Sequence, residues 1–166
     1  SENTGNGIEL LNFSDALIIQ NVIAQNKAYS GAGISWLVPS GNRGPLVVSN
    51  TIVENDAENG SAIFADGFDA QTELINNIIV AKAGQVAVFC GGFNDPNPPI
   101  FRFNNIFSKD GTAYGGICAD QTGINGNISA DPLFIDSSNQ DYRVDVGSPS
   151  MDAGDNSSPE LPSEDF

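Results

Sequence analysis

One asparagine returns at nearly even intervals through most of this chain, and that repeat narrows what the chain can fold into. Four segments are alike: LIIQNVIAQN from Leu17, LVVSNTIVEN from Leu46, ELINNIIVAK from Glu73 and FRFNNIFSKD from Phe101. INGNISAD from Ile124 is a degenerate fifth copy. Aligned on one asparagine, the copies place Asn21, Asn50, Asn77, Asn105 and Asn127 in register, at steps of 29, 27, 28 and 22 residues. A second series of apolar anchors, Ile8, Ile34, Ile63, Val88 and Ile117, steps by 26, 29, 25 and 29. Two landmarks at nearly one period mark a repeat architecture.

The period and the residues inside it select the type of repeat. Each copy holds short β-prone runs with period-two alternation, such as Leu46-Val47-Val48 and Ile78-Ile79-Val80, separated by Gly, Asn, Asp and Pro. None holds a ten-residue helical pattern, which disfavours helix-containing repeats. Apolar residues make up 40% and charged residues only 16%, so the polar share falls on turn formers and not on the Glu, Lys and Arg of a helical protein. The expected fold is all-β, a right-handed parallel β-helix solenoid of about five coils. One coil alone cannot bury its apolar side, but stacked coils bring like residues over like at about 4.8 Å. The asparagines are then expected to occupy the bends in the left-handed backbone region and to bond coil to coil through their amides. A polar binding row is the functional alternative for them.

From Asp131 the repeat gives way to DPLFIDSSNQDYRVDVGSPSMDAGDN. Three motifs stand out: Asp131-Pro132-Leu133-Phe134, Asp141-Tyr142-Arg143-Val144, and Ser148-Pro149 followed by Asp152-Ala153-Gly154. This run resembles the C-terminal signature of exported bacterial right-handed β-helix proteins of the pectin-lyase-like superfamily, the type with a choice-of-anchor tail. The resemblance implies a β-helix at an extracellular or cell-surface location, and it implies no activity, because such folds host enzymes, adhesins and scaffolds alike. We therefore divide the chain into coils over residues 1–130, a capping segment over 131–156 and an acidic tail over 157–166. Leu133, Phe134, Tyr142, Val144 and Val146 are expected to cover the end of the last coil. The first residues enter the repeat at once, so either further coils precede them or an edge of the first coil is expected to remain free for another molecule. Head-to-tail stacking of such ends would build a homo-oligomer or filament.

The chemistry of the chain limits its activities. With 21 acidic residues against 6 basic ones and a net charge of −15, it is not expected to bind nucleic acid, and no run is long enough for membrane insertion. The chain has no histidine, which removes His bases, His ligands and Ser-His triads. A lyase base would have to come from Lys27, Lys82, Lys109, Arg43, Arg102 or Arg143, and none is seen beside an acidic cluster at a repeating position. No catalytic residue is assigned. The leading expectation is a non-catalytic structural or adhesive module. The alternative is a polysaccharide-binding or polysaccharide-cleaving fragment of a larger β-helix enzyme.

Binding residues are sought in the variable loops, where Trp36, Arg43, Phe68, Phe93 and Asn94 could contact a saccharide. No cofactor is expected. Calcium is the one metal considered, at Asp136, Asp141 and Asp145, because hard cations need several converging oxygens. A polar turn is the competing reading of those residues. Cys90 and Cys118 lie 28 residues apart, one period, which places them in disulfide range across neighbouring coils. If Ile117 aligns with Val88, however, the two cysteines fall out of phase and remain buried thiols.

Overall fold

The computed structural model describes residues 3–12, 14–37, 44–67, 71–94 and 96–158. The first coil holds β1 (Asn3–Thr4), β2 (Ile8–Leu11), β3 (Leu17–Ile19), β4 (Val22–Ala24) and β5 (Asn26–Lys27). The second holds β6 (Ile34–Leu37), β7 (Leu46–Val48) and β8 (Thr51–Asn55). The third holds β9 (Ile63–Asp66), β10 (Glu73–Ile75) and β11 (Ile78–Ala81), and the fourth β12 (Val86–Cys90), β13 (Ile100–Arg102) and β14 (Asn105–Phe107). After β15 (Thr112–Gly116), the strands β16 (Phe134–Asp136) and β17 (Asp141–Val144) form an antiparallel hairpin around a 3-10 turn at Ser137–Asn139.

Like strands stack in parallel into three walls: β2-β6-β9-β12-β15, β3-β7-β10-β13 and β4-β8-β11-β14. The result is an all-β solenoid of about 4 turns. Among the described residues no helix is long and apolar enough to cross a membrane. The expected fifth copy is only part of a coil, in which Ile128 bridges Asn105.

The core is three columns of stacked apolar side chains, one from each wall. Ile18, Val47, Leu74 and Phe101 are register partners on the second wall. Ile23, Ile52, Ile79 and Ile106 form the third-wall column. On the first wall Ile34, Ile63, Val88 and Tyr114 align. Here Tyr114, and not the expected Ile117, takes the fifth place. Tyr114 packs edge-on against Phe101 at 5.4 Å, while Ile117 is exposed. The Tyr114 ring thus covers Phe101 at the end of the core column. Full burial of each such side chain contributes on the order of 1.5–3 kcal/mol.

The bends also depart from expectation. The left-handed residues are Gln20, Ser49, Asn76 and Phe103, with φ of 53°, 54°, 57° and 54°. Each immediately precedes a ladder asparagine, which is itself free to extend. Preceding it with a left-handed residue turns the chain sharply, so the asparagine side chain points along the stack.

The segment from Asp131 does not plug the last coil. It runs back along the flank. Tyr142 donates its hydroxyl to Glu54 of the second coil at 2.9 Å. Gln140 donates to Gln25 of the first coil. Asn105 donates to Ala130 O and Ser150 Oγ, and Asn76 exchanges two hydrogen bonds with the Asp155 backbone. Phe134 and Tyr142 pack together at 5.6 Å, while Val146 is 89% exposed. Next to the last coil lies the stretch from Ile124, which bonds it at Phe103, Asn104 and Ile106.

Candidate functional site

The asparagine column is a continuous hydrogen-bonded ladder through Asn21, Asn50, Asn77, Asn104 and Asn127. Each member donates its backbone N–H and Nδ2 to the Oδ1 of the next. The second Nδ2 proton reaches a backbone carbonyl, Ile18 O for Asn50, Val47 O for Asn77 and Leu74 O for Asn104. Asn50, Asn77, Asn104 and Asn127 are buried, and every amide hydrogen and oxygen among these four is paired, as burial requires.

Asn105, expected in this column, lies one residue out of phase. Its side chain faces the flank and holds the C-terminal segment. The phase is fixed by the core isoleucine two residues after each ladder amide: Ile23, Ile52, Ile79 and Ile106. A ladder at Asn105 would put the half-exposed Phe107 in that place. A second ladder joins Asn3, Asn26 and Asn55. It stops where Ala81 pairs with Asn55, and the same left-handed device precedes it at Gln25 and Glu54, with φ of 59° and 56°.

The expected loop ligands separate. Trp36 is not in a loop: it lies in β6, is 1% exposed, and stacks between Leu10 and Ala65. Alternating a large side chain with a small one fills the core without strain. Arg43 and Phe68 lie outside the described residues. Phe93 is 92% exposed, and Asn94 is tied to Asp66 through its backbone N–H and its amide.

The calcium candidates are engaged in local turns. Asp136 caps the 3-10 turn, accepting from Ser138 and from Asn139, and these hydrogen bonds hold its carboxyl below the usual range. Asp141 pairs with Arg143 at 2.6 Å, which lowers its pKa to about 2. Asp145 accepts from Val146 N–H. Among the described residues no cluster of three or more metal-ligating side chains occurs.

Cys90 and Cys118 are joined as a disulfide with Cα atoms 5.3 Å apart. The phase problem is solved by Gly116. Gly116 pairs with Cys90 in register and has φ +70°, and this left-handed turn brings Cys118 inward two residues later. Any Cβ at Gly116 would meet the Cys90 carbonyl.

Two features escaped the sequence reading. The first is a groove of about 710 Å³ between the third wall and the returning segment. Lys27, Lys82 and Lys109, which are all the lysines of the chain, line it with Asp56, Phe107 and Phe134. Asp56 accepts from Lys82 Nζ at 2.6 Å, and Lys27 Nζ lies at 3.7 Å. The Lys82 and Gln85 hydrogen bonds hold the Asp56 carboxyl below its ordinary value. Lys109 has no ion-pair partner among the described residues. The signal was available: Lys27, Asp56, Lys82 and Lys109 step by 29, 26 and 27 residues, the period of the repeat.

The second is the edge strands at the two ends of the stack. At the first coil β2, β3 and β4 are edge strands. Asn21 Oδ1 accepts no hydrogen bond from a described residue, and Leu11, Leu17 and Val22 are exposed. At the other end β13, β14 and β15 are likewise the outermost strands, and Asn127 N–H and Nδ2 return to Ile124 O. Ile128 meanwhile exchanges backbone hydrogen bonds with Asn104 and Ile106. Compared with protein-family models, curated proteins and solved structures, the chain matches none.

Proposed function

We propose that this solenoid is a non-catalytic structural or adhesive module of an extracellular surface, and that copies join end to end through the edge strands of their coils. The observation that carries the reading is that every wall ends in edge strands, β2, β3 and β4 at the first coil and β13, β14 and β15 at the last. Edge strands with free N–H and C=O groups and exposed Leu11, Leu17 and Val22 invite strand addition. Head-to-tail joining of the two unlike ends builds an open filament, whereas joining of one edge to its own copy gives a closed two-fold dimer, and mass against concentration tells the two apart.

Several features support the remaining parts. Among the described residues each carboxyl whose pKa departs from the ordinary is lowered, whereas the general acid of a glycosidase needs a raised one. The Cys90–Cys118 disulfide suits an oxidising compartment. The C-terminal motifs retain their likeness to exported right-handed β-helices of the pectin-lyase-like type, and that likeness supports a surface location.

Sedimentation velocity over a wide concentration range tests the pairing. The expected species shifts from 17.4 kDa towards twice that mass. Val22→Lys, which places a charge on an edge strand at an exposed position, is expected to hold the chain as a monomer with unchanged melting. A wild-type chain that stays monomeric at all concentrations refutes the pairing.

A further inference from the structure

Asparagine is followed by glycine at Asn6-Gly7, Asn59-Gly60 and Asn125-Gly126. A glycine has no Cβ, so its backbone nitrogen meets little steric resistance in attacking the preceding side-chain amide. The attack is intramolecular and closes a five-membered ring, which favours it over attack by an outside nucleophile. The fold treats the three pairs differently.

Asn6 is held at both reacting groups. Its Nδ2 donates to Ser30 O at 2.7 Å and Gly31 O at 2.8 Å, and Gly7 N–H donates to Ala32 O at 2.8 Å. Asn59 is half-buried between coils, and Gly60 is buried. Its backbone O accepts from Gly31 N–H, its N–H donates to Tyr29 O, and its Nδ2 reaches Ser30 Oγ. Asn125 lies instead in an exposed run, residues 122–126. Among the described residues its side chain makes no hydrogen bond, and Gly126 N–H donates none.

We propose that Asn125 is a self-modification site of the folded chain, while the other two pairs are protected. The Gly126 nitrogen attacks Asn125 Cγ and gives up its proton. The Cγ–Nδ2 bond breaks, and the amide nitrogen leaves with that proton as ammonia. Water then opens the cyclic imide. Opening at Cγ leaves an aspartate, and opening at the backbone carbonyl leaves an isoaspartyl linkage. This goes beyond end-to-end joining and does not rest on it.

The product acts on the end of the ladder. Asn125 O accepts from Phe103 N–H at 2.9 Å, Gly126 lies against the Phe103 ring, and Asn127 is the last rung, bonded to Asn104. An isoaspartyl linkage inserts a methylene into the main chain between these contacts and adds a negative charge. Phe103 N–H then loses its acceptor and Asn127 shifts against Asn104, so the last rung loosens and the earlier ones stay.

The three pairs fall in different tryptic peptides, 1–27, 44–82 and 110–143. The whole chain is incubated in mildly alkaline buffer, folded or in concentrated urea, and digested, and fragment spectra locate each amide that has become an acid. In the folded chain, position 125 is expected to convert at least about tenfold faster than Asn6, where attack must first break three hydrogen bonds, and faster than Asn59. In urea the three rates are expected to converge. Asn125→Gln, whose ring would be six-membered, is expected to stop conversion there without changing the melting. Fresh Asn125→Asp adds the charge without the methylene and is expected to keep the slow amide exchange of Phe103, whereas the isoaspartyl fraction of aged wild type should exchange it about tenfold faster. The proposal is overturned if Asn6 or Asn59 converts as fast as Asn125 in the folded chain, if position 125 stays an amide there, or if the same order persists in urea. It is also overturned if the isoaspartyl fraction exchanges Phe103 at the rate of the fresh chain.

Discussion

Replacing Asn77 by aspartate tests the ladder with the smallest change of shape. Asn77 is 1% exposed. Its Oδ1 accepts from Asn50 N–H at 2.9 Å and Nδ2 at 3.0 Å, and its Nδ2 donates to Val47 O at 2.9 Å and Asn104 Oδ1 at 2.8 Å. An aspartate keeps both accepted bonds and loses both donors. Val47 O then loses its amide donor, and Asn104 Oδ1 keeps only the backbone N–H of residue 77 and faces a new carboxylate, at about 1–3 kcal/mol in all. Burial against Asn104 Oδ1 also disfavours the carboxylate, so the folded-state pKa of the introduced carboxyl rises above its unfolded value of about 3.9. A protonated carboxyl regains one donor. Stability is therefore greatest below the unfolded pKa and falls as pH rises, by about 1.4 kcal/mol per unit until the folded pKa is reached.

The deficit against wild type is expected at about 2 kcal/mol near pH 3.5 and about 5 kcal/mol at pH 7. Urea unfolding read through the single buried Trp36 measures it at both pH values. Asn104→Asp should behave in the same way. Asn105→Asp should cost less and lack most of the pH slope, since its amide only holds Ala130 and Ser150 at the flank. A deficit for Asn77→Asp that is equal at the two pH values, or a larger cost at Asn105 than at Asn104, refutes the ladder account.

Three further outcomes are expected. Replacing Cys90 and Cys118 together by serine should destabilise the chain by roughly 3.5 kcal/mol, from the closure of a 28-residue loop. Reductant should then shift the midpoint of wild type but not of the variant. Tyr142 titrates near 12, raised chiefly by burial and by its bond to Glu54. Its contribution to docking of the hairpin is therefore full below the unfolded value near 10 and lost as pH climbs through 12, so hydrogen exchange of Asp141–Val144 should accelerate in that window, and earlier in Glu54→Gln. Gly60→Ala should cost about 2 kcal/mol or more, because Gly60 has φ +62° and a new Cβ would meet Ile63 O. Thermal melting should show it, whereas alanine at Gly84, which meets nothing within 4 Å, should pay only the backbone term.

The solenoid was readable in the sequence because stacking repeats the same demand in every coil. Strand alternation, period and the amide column all pointed one way. Phase was harder to read. Asn76-Asn77 and Asn104-Asn105 are both double asparagines, and alignment on the second of each pair misplaces one ladder rung. The rule that corrects it, a core isoleucine two residues after the rung, was present in the sequence at Ile23, Ile52, Ile79 and Ile106. Trp36 misled for a different reason. It precedes a Pro- and Gly-containing stretch and so looked like a loop residue, but it is the third residue of a strand, and its inward position is set by Leu10 and Ala65 above and below it.

The returning segment shows why composition alone could not place the site. Leu133, Phe134, Tyr142 and Val144 are apolar enough to plug a coil, and a plug needs only that. What holds them on the flank is polar and distant in sequence: Glu54 with Tyr142, Asn105 with Ser150, Asn76 with Asp155. Each of those solenoid residues is a local irregularity. Glu54 is the extra residue of a bulge in β8, and Asn76 and Asn105 are the members of the double asparagines that the ladder leaves over. The places where the repeat departs from its own rule are thus where the flank acquires partners. The same segment then becomes the second wall of the lysine groove, so detaching it should open the groove while the coils stay folded. Glu54→Gln combined with Asn105→Ala should accelerate hydrogen exchange of the flank hairpin and retain the Trp36 unfolding transition, and loss of that transition would mean that the flank segment is part of the core and not a wall laid upon it.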